Sequence, residues 1–337
     1  MVRPSVACGV VFLVALPVAV QGGRESRNPV ALADLVSPTD PLHRHDLQFD
    51  ARFAQLAAEY LDSGDRRTIP VLAALPATRH LLAHARQFDY DVPKTSAGAL
   101  VEEMLARSAG RQRAIREAAA YFAGPLLDDP QWVNDALKYL PDDFRFHGTL
   151  FLISGYDIGV ALSPHASLNA AHRHFEGHPR ELLYYAIHEL HHIGLMTYAP
   201  PPRIDELKTC ADVLHLVEYS TALEGIAVLA GLERRRRDGT LPDDDDYAAL
   251  GNAALMVQNE AHYFLEYDDL RRRGVEPADP EALGVLERMS SGERLWYRVG
   301  ARMAERVERE RGRPALIALV TGKPGNLVST YRSIVGR

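Results

Sequence analysis

Apolar positions recur at three- and four-residue spacing over most of the chain, the period of a helix with one buried face. The first such stretch runs from 46 to about 140. It opens with FDARFAQLAAEYLDSG, where Phe49, Phe53, Leu56 and Tyr60 share a face. PVLAALPATRHLLAHARQF continues it, interrupted at Pro76. SAGALVEEMLARSAGRQRAIREAAAYFAG predicts a long alanine-rich helix that begins at a Ser96 cap. A short helix is expected over 131–139, and no fixed-period repeat is present. The pattern changes at Phe144. FRFHGTLFLISGYDIGVALSPHASLNAAH mixes β-branched and aromatic residues with Gly155, Gly159 and Pro164, which predicts short strands and turns. Helical spacing returns at Pro179, a residue suited to the first turn because its missing N–H has no partner to lose there. A second helix is expected over 204–236. RRRRDGTLPDDDDY then reads as a solvated surface loop, and two or three helices fill 247–311 before a last one at the C-terminus. The fold class this predicts is α+β and predominantly helical, with a helical N-terminal lobe over 46–143 and a separate core over 144–337.

The first 23 residues have a different character. A basic start at Arg3, an apolar run over 6–20 and then small and polar residues form the layout of a secretory signal peptide. The run is short for a bilayer span of roughly 20 residues, so cleavage is expected over an uncleaved anchor. Residues 24–45, rich in proline and charge without a period, read as a linker. No stretch after the signal is read as apolar for long enough to cross a membrane. A secreted or periplasmic protein with no stable membrane insertion is the expectation. Cleavage would remove Cys8 and leave Cys210 alone, so no intramolecular disulfide is available and stability must come from the core. Composition is that of an ordinary globular chain of 337 residues, 47% apolar and 25% charged. A formal net charge of −7 argues against a nucleic-acid partner.

The chemistry concentrates in YYAIHELHHIGLM, which reads H-E-x-x-H over His188, Glu189 and His192. Residues four apart on a helix lie one turn apart on one face, so two imidazoles can meet one cation. Glu189 sits beside them, placed to hold a catalytic water rather than to ligate. A single Zn2+ suits nitrogen and oxygen donors and takes three protein ligands in a catalytic site. Around the motif Leu183, Ala186, Ile187, Leu190 and Ile193 are apolar, so the polar side chains need partners that an ion would supply. For the third ligand, the compact H-E-x-x-H-x-x-G-x-x-H arrangement is excluded, because Leu195 and Tyr198 stand where glycine and histidine would. A carboxylate of the next helix is the alternative. Glu224, followed by Gly225 and Ala227 that let its helix approach the zinc helix closely, leads. Glu218 and Glu206 stand behind it, and Asp212 and His215 behind those. His191 points elsewhere and reads as a second-layer or surface residue. His165, His172, His174 and His178 read as a solvated loop rather than a second metal site, and Cys210 as a small core residue.

His188-Glu189-x-x-His192 with a downstream Glu224-Gly225-x-Ala227 resembles the gluzincin type of zinc metallopeptidase, and more narrowly the bacterial zinc-dependent peptidase families that pair HExxH with an EGxA glutamate. The resemblance spans roughly 144–337. It implies a zincin-like catalytic core with a strand-rich segment before the HExxH helix. It also implies a tyrosine, a glycine and a closing helix downstream, where Tyr297 and Gly300 stand in WYRVGARMAERVERERGRPALIALVTG. The departure is in spacing: thirty-one residues separate His192 from Glu224, more than the thermolysin-like pattern has. By the resemblance, Glu189 is the general base, Tyr297 the donor to the oxyanion, and His188, His192 and Glu224 the metal ligands. The substrate is then a peptide or protein, aligned on an edge strand within 156–169. Two other readings remain: a catalytically silent zinc-containing scaffold, from which the presence of Glu189 argues away, and a zinc hydrolase of non-peptide amides or esters.

Overall fold

Asp46–Asp50 is a strand, β1, where the sequence suggested the start of a helix. In the computed structural model, which describes residues 45–336, Phe49 stands edge-on to the rings of Phe122 and Trp132, and the Asp50 carboxylate accepts from the Arg52 backbone N–H that opens the next helix. The proposed signal peptide and nearly all of the linker lie outside the described residues. Seven helices follow β1: α1 Arg52–Ser63, α2 Thr68–Ala74, α3 Pro76–Gln87, α4 Ala97–Arg107, α5 Gln112–Ala123, α6 Pro125–Asp128 and α7 Trp132–Leu137. Ser96 caps α4, its hydroxyl accepting from Ala99 N–H at 3.1 Å. The long helix read from the sequence is two, because Gly110 turns the chain at a φ of 76° between α4 and α5.

Strands β2 His147–Ile153, β3 Gly159–Leu162 and β4 His165–Asn169 complete a four-stranded sheet in the order β1-β2-β4-β3. β1 and β4 run parallel to β2, with Asp46 opposite His147 and Leu150 opposite Ala166; β3 runs antiparallel to β4 at the edge. The β2 run LFLI is buried throughout, as a strand covered on both faces must be. Phe151 and Ile153 join Phe53, Leu72, Leu81 and Met104 of the helices in one apolar cluster. Buried Asn169 shapes the β2–β3 connection: its carbonyl accepts from Gly155 and Ala171 N–H, and its amide donates to the Tyr156 carbonyl at 2.7 Å.

By their internal contacts the described residues divide into two units, 45–134 with Arg145–Glu189, and Asp135–Phe144 with 190–336. The first holds the sheet. The second is helical: the C-terminal half of α8 Glu181–Tyr198, then α9 Cys210–Asp238, α10 Asp245–Leu250, α11 Ala253–Arg273, α12 Pro280–Ser290, α13 Leu295–Arg311, α14 Arg313–Thr321 and α15 Asn326–Val335. The α9 helix starts at Cys210 rather than 204, behind a Thr209–Asp212 capping box. Against the expectation that no stretch after the signal is apolar for long enough to cross a membrane, α9 is long and apolar enough, but 83% of its most apolar window is buried in the protein.

Two expectations about α9 change. Gly225 makes its close approach to α13, where a Cβ would overlap the backbone of Gly300. The run RRRRDG is the last turns of α9 and not a solvated loop. Arg235 is fully buried, its guanidinium 4.3 Å over the Tyr247 ring, and Arg234 bonds Asp135. Of the acidic run, Asp244 caps α10, and Asp246 accepts from Arg294 and Arg298. Gly225→Ala adds helix propensity of up to about 1 kcal/mol. Here it also forces α9 and α13 apart, an overpacking cost of up to about 3 kcal/mol that is expected to outweigh the gain. A urea midpoint at or above that of the wild type would refute the tight crossing.

Candidate metal centre

The α8 helix is apolar nearly all round because nearly all of it is buried; His188 is the half-exposed exception among its site residues. Several contacts within the helical unit fix its C-terminal half. The His191 ring bonds the Ala136 carbonyl through Nδ1 at 3.1 Å and stands edge-on to Tyr139. A Cβ on Gly194 would overlap the Leu140 side chain, so the segment after α7 lies flush against the helix. The Tyr219 hydroxyl of α9 donates to the Ala199 carbonyl, one residue past α8, at 2.7 Å. His191 thus turns away from the other two histidines, as expected, but it is buried and not on the surface.

With α8 held in this way, His192 Nε2 stands 3.1 Å from Glu224 Oε2, both side chains almost wholly buried. His188 lies one turn earlier on the same continuous helix. One ligand atom each of His188, His192 and Glu224 lie within 4.8 Å of one another. Two atoms each about 2.1 Å from a tetrahedral ion stand about 3.4 Å apart, so the observed spacing and the N,N,O donor set fit zinc. The other acids considered for the third position are engaged elsewhere. Glu218 accepts from the Tyr267 hydroxyl at 2.6 Å, Asp212 closes the α9 capping box, and Glu206 pairs with Arg203 at the surface. His215 is exposed.

Glu189, 4% exposed, faces the head of β3. A Cβ built on Gly159 would lie 2.5 Å from Glu189 Oε1, so the strand's backbone is in direct contact with the carboxylate. The sequence marked Gly159 only as a turn or strand breaker. Nothing in its local context shows that it adjoins an acid thirty residues on. Tyr297 is on α13, one turn before the Gly300 crossing with α9, and the Arg294 guanidinium stacks 3.7 Å over its ring. Of the loop histidines, His165 accepts from Thr149 N–H, His172 caps a short turn through His174 N–H, and His178 is exposed. His174 Nε2 bonds Glu181 at 2.9 Å. Cys210 is buried, its thiol 3.7 Å from the Pro277 carbonyl and raised in pKa by burial.

No curated protein and no solved structure matches the chain. Residues 130–336 match the family described as "Putative zinc dependent peptidase (DUF5700)". That span is more than half of the sequence and contains β2 to β4, the HExxH helix and α9 with Glu224. By this match the chain belongs to that family.

Proposed function

We propose that the protein is an exported metallopeptidase of the gluzincin type. In this reading His188, His192 and Glu224 hold one zinc ion and Glu189 is the general base. The observation that carries it is the 3.1 Å approach of His192 and Glu224 beside His188, within the span matched by a zinc peptidase family. A bound zinc supplies a Lewis acid that acidifies water and polarises the scissile carbonyl. Glu189 takes the proton of the attacking water and passes it to the leaving amine. Tyr297 donates to the developing oxyanion.

An extended peptide aligns on the edge strand β3 by backbone pairing. Val160, Ala161 and Leu162 are buried, so the accessible part is the half-exposed head from Asp157 to Gly159. That head adjoins Glu189, and in this reading the aligned peptide bond lies beside the base.

The purified chain is expected to carry about one zinc. It should cleave casein or a peptide library, lose the activity to a chelator and regain it with added zinc. Zinc bound without chelator-sensitive cleavage would instead make it a scaffold, and cleavage of small esters alone would make it a non-peptide hydrolase.

A further inference from the structure

We infer that Gly159 is the positioning residue for Glu189: its bare backbone is the wall that holds the base's carboxylate in place. The inference rests on the reading of Glu189 as general base. A Cβ at this position would lie 2.5 Å from Glu189 Oε1, 2.9 Å from Cδ and 3.0 Å from Cγ, so it would meet the whole end of the side chain. Real Cβ atoms do not approach that closely, and one group must move.

The strand is not the group that can. Gly159 is in register with Leu168 of β4, and the Asn169 N–H donates to the Ile158 carbonyl at 3.0 Å. The Asn169 side chain ties down Gly155 and Tyr156 just upstream, with bonds of 2.9 and 2.7 Å. The carboxylate is therefore what yields. Gly159 is not among the glycines with positive φ, so its backbone is one that any residue adopts. What demands glycine here is space and not conformation.

The geometry has a second consequence. The residue that seats the base is also the accessible head of the edge strand. A peptide lying on β3 is thereby registered against the carboxylate by the same backbone that fixes the carboxylate's position.

The test is a cycle of Gly159→Ala, Glu189→Ala and the double variant, with zinc content, thermal midpoint and steady-state kinetics measured for each. In the wild-type background Gly159→Ala should keep zinc, lower the thermal midpoint and reduce kcat by ~10²-fold with KM little changed, the size expected when a catalytic group is displaced by about 1 Å. In the Glu189→Ala background the new methyl fills the space the carboxylate left, so the thermal midpoint should not fall. Equal loss of stability with and without the carboxylate, or an unchanged kcat, overturns the inference. If Gly159→Ala alone does not fold, recovery of a folded, zinc-loaded chain in the double variant supports it, and failure to recover refutes it. A wild-type chain that binds zinc and cleaves nothing overturns the peptidase reading, while the stability comparison still decides whether Gly159 seats Glu189.

Discussion

Glu189→Gln is expected to leave zinc content and thermal stability intact and to cut kcat by ~10²–10⁴-fold, the range a positioned general base contributes. Glutamine keeps the shape of the side chain, so the contact with Gly159 survives. What it lacks is a site that can accept a proton from water at neutral pH. The loss corresponds to about 3–5 kcal/mol of transition-state stabilisation. Folding should not suffer, because exchanging a carboxylate that is only 4% exposed for a neutral amide removes a buried charge instead of adding one. Two results would count against the assignment. If the variant loses zinc in parallel with activity, Glu189 is a ligand. If cleavage persists at the wild-type rate, the base is another group. The neighbouring His191→Ala is a useful comparator. It removes a hydrogen bond to Ala136 on the side of α8 turned away from the metal ligands, so its cost should appear in stability before it appears in kcat.

What could be read from the sequence was whatever depends on residues a turn or two apart. His188 and His192 share a face because helix periodicity is local, and Ser96 caps α4 for the same reason. Partnerships across long separations were hidden. β1 pairs in parallel with β2 about a hundred residues later, and its five residues look like the lead-in to α1 until that partner is known. Gly225 and Ala227 beside Glu224 suggest a close approach to α8, but α9 alone does not show which helix that glycine meets. The glycine serves the crossing with Gly300 of α13, which no inspection of the α9 sequence could reveal. The charge runs failed in the same way. A string of arginines reads as solvated because composition cannot show that Tyr247 waits to stack on Arg235, or that Asp246 lies between Arg294 and Arg298. Gly159 is the extreme case, a glycine whose reason for being glycine is the carboxylate of another element.

Acid is expected to destabilise the sheet unit steeply, through two histidines that the proposed chemistry does not use. His80 and His84, four apart on α3, are both buried. His84 Nδ1 bonds the Tyr156 hydroxyl at 2.9 Å, and His80 lies among the rings of Phe151 and His165. Neither Nε2 has a hydrogen-bond partner among the described residues. Burial pushes His84 down to about 3. It pushes His80 well below the usual imidazole range, helped by the charges that His84 and His165 would carry. Both rings are therefore neutral in the folded chain, while in the unfolded chain they take up protons near pH 6.5. Above pH 6.5 neither state binds the protons and the pair costs nothing. As pH falls below that value only the unfolded state gains, so stability drops by about 1.4 kcal/mol per histidine per pH unit until the folded-state values are reached. At pH 4.5 His84 alone amounts to about 3 kcal/mol, a large part of the stability of a typical domain, and His80 adds in the same direction. Metal ligands also take up protons in acid. The measurement is therefore the urea midpoint from pH 7.5 to 4.5 with chelator present. His84→Gln should flatten the curve by close to one proton across that window, and adding His80→Gln should flatten it further. An unflattened curve would mean that these rings are already charged, or already wet, in the folded protein.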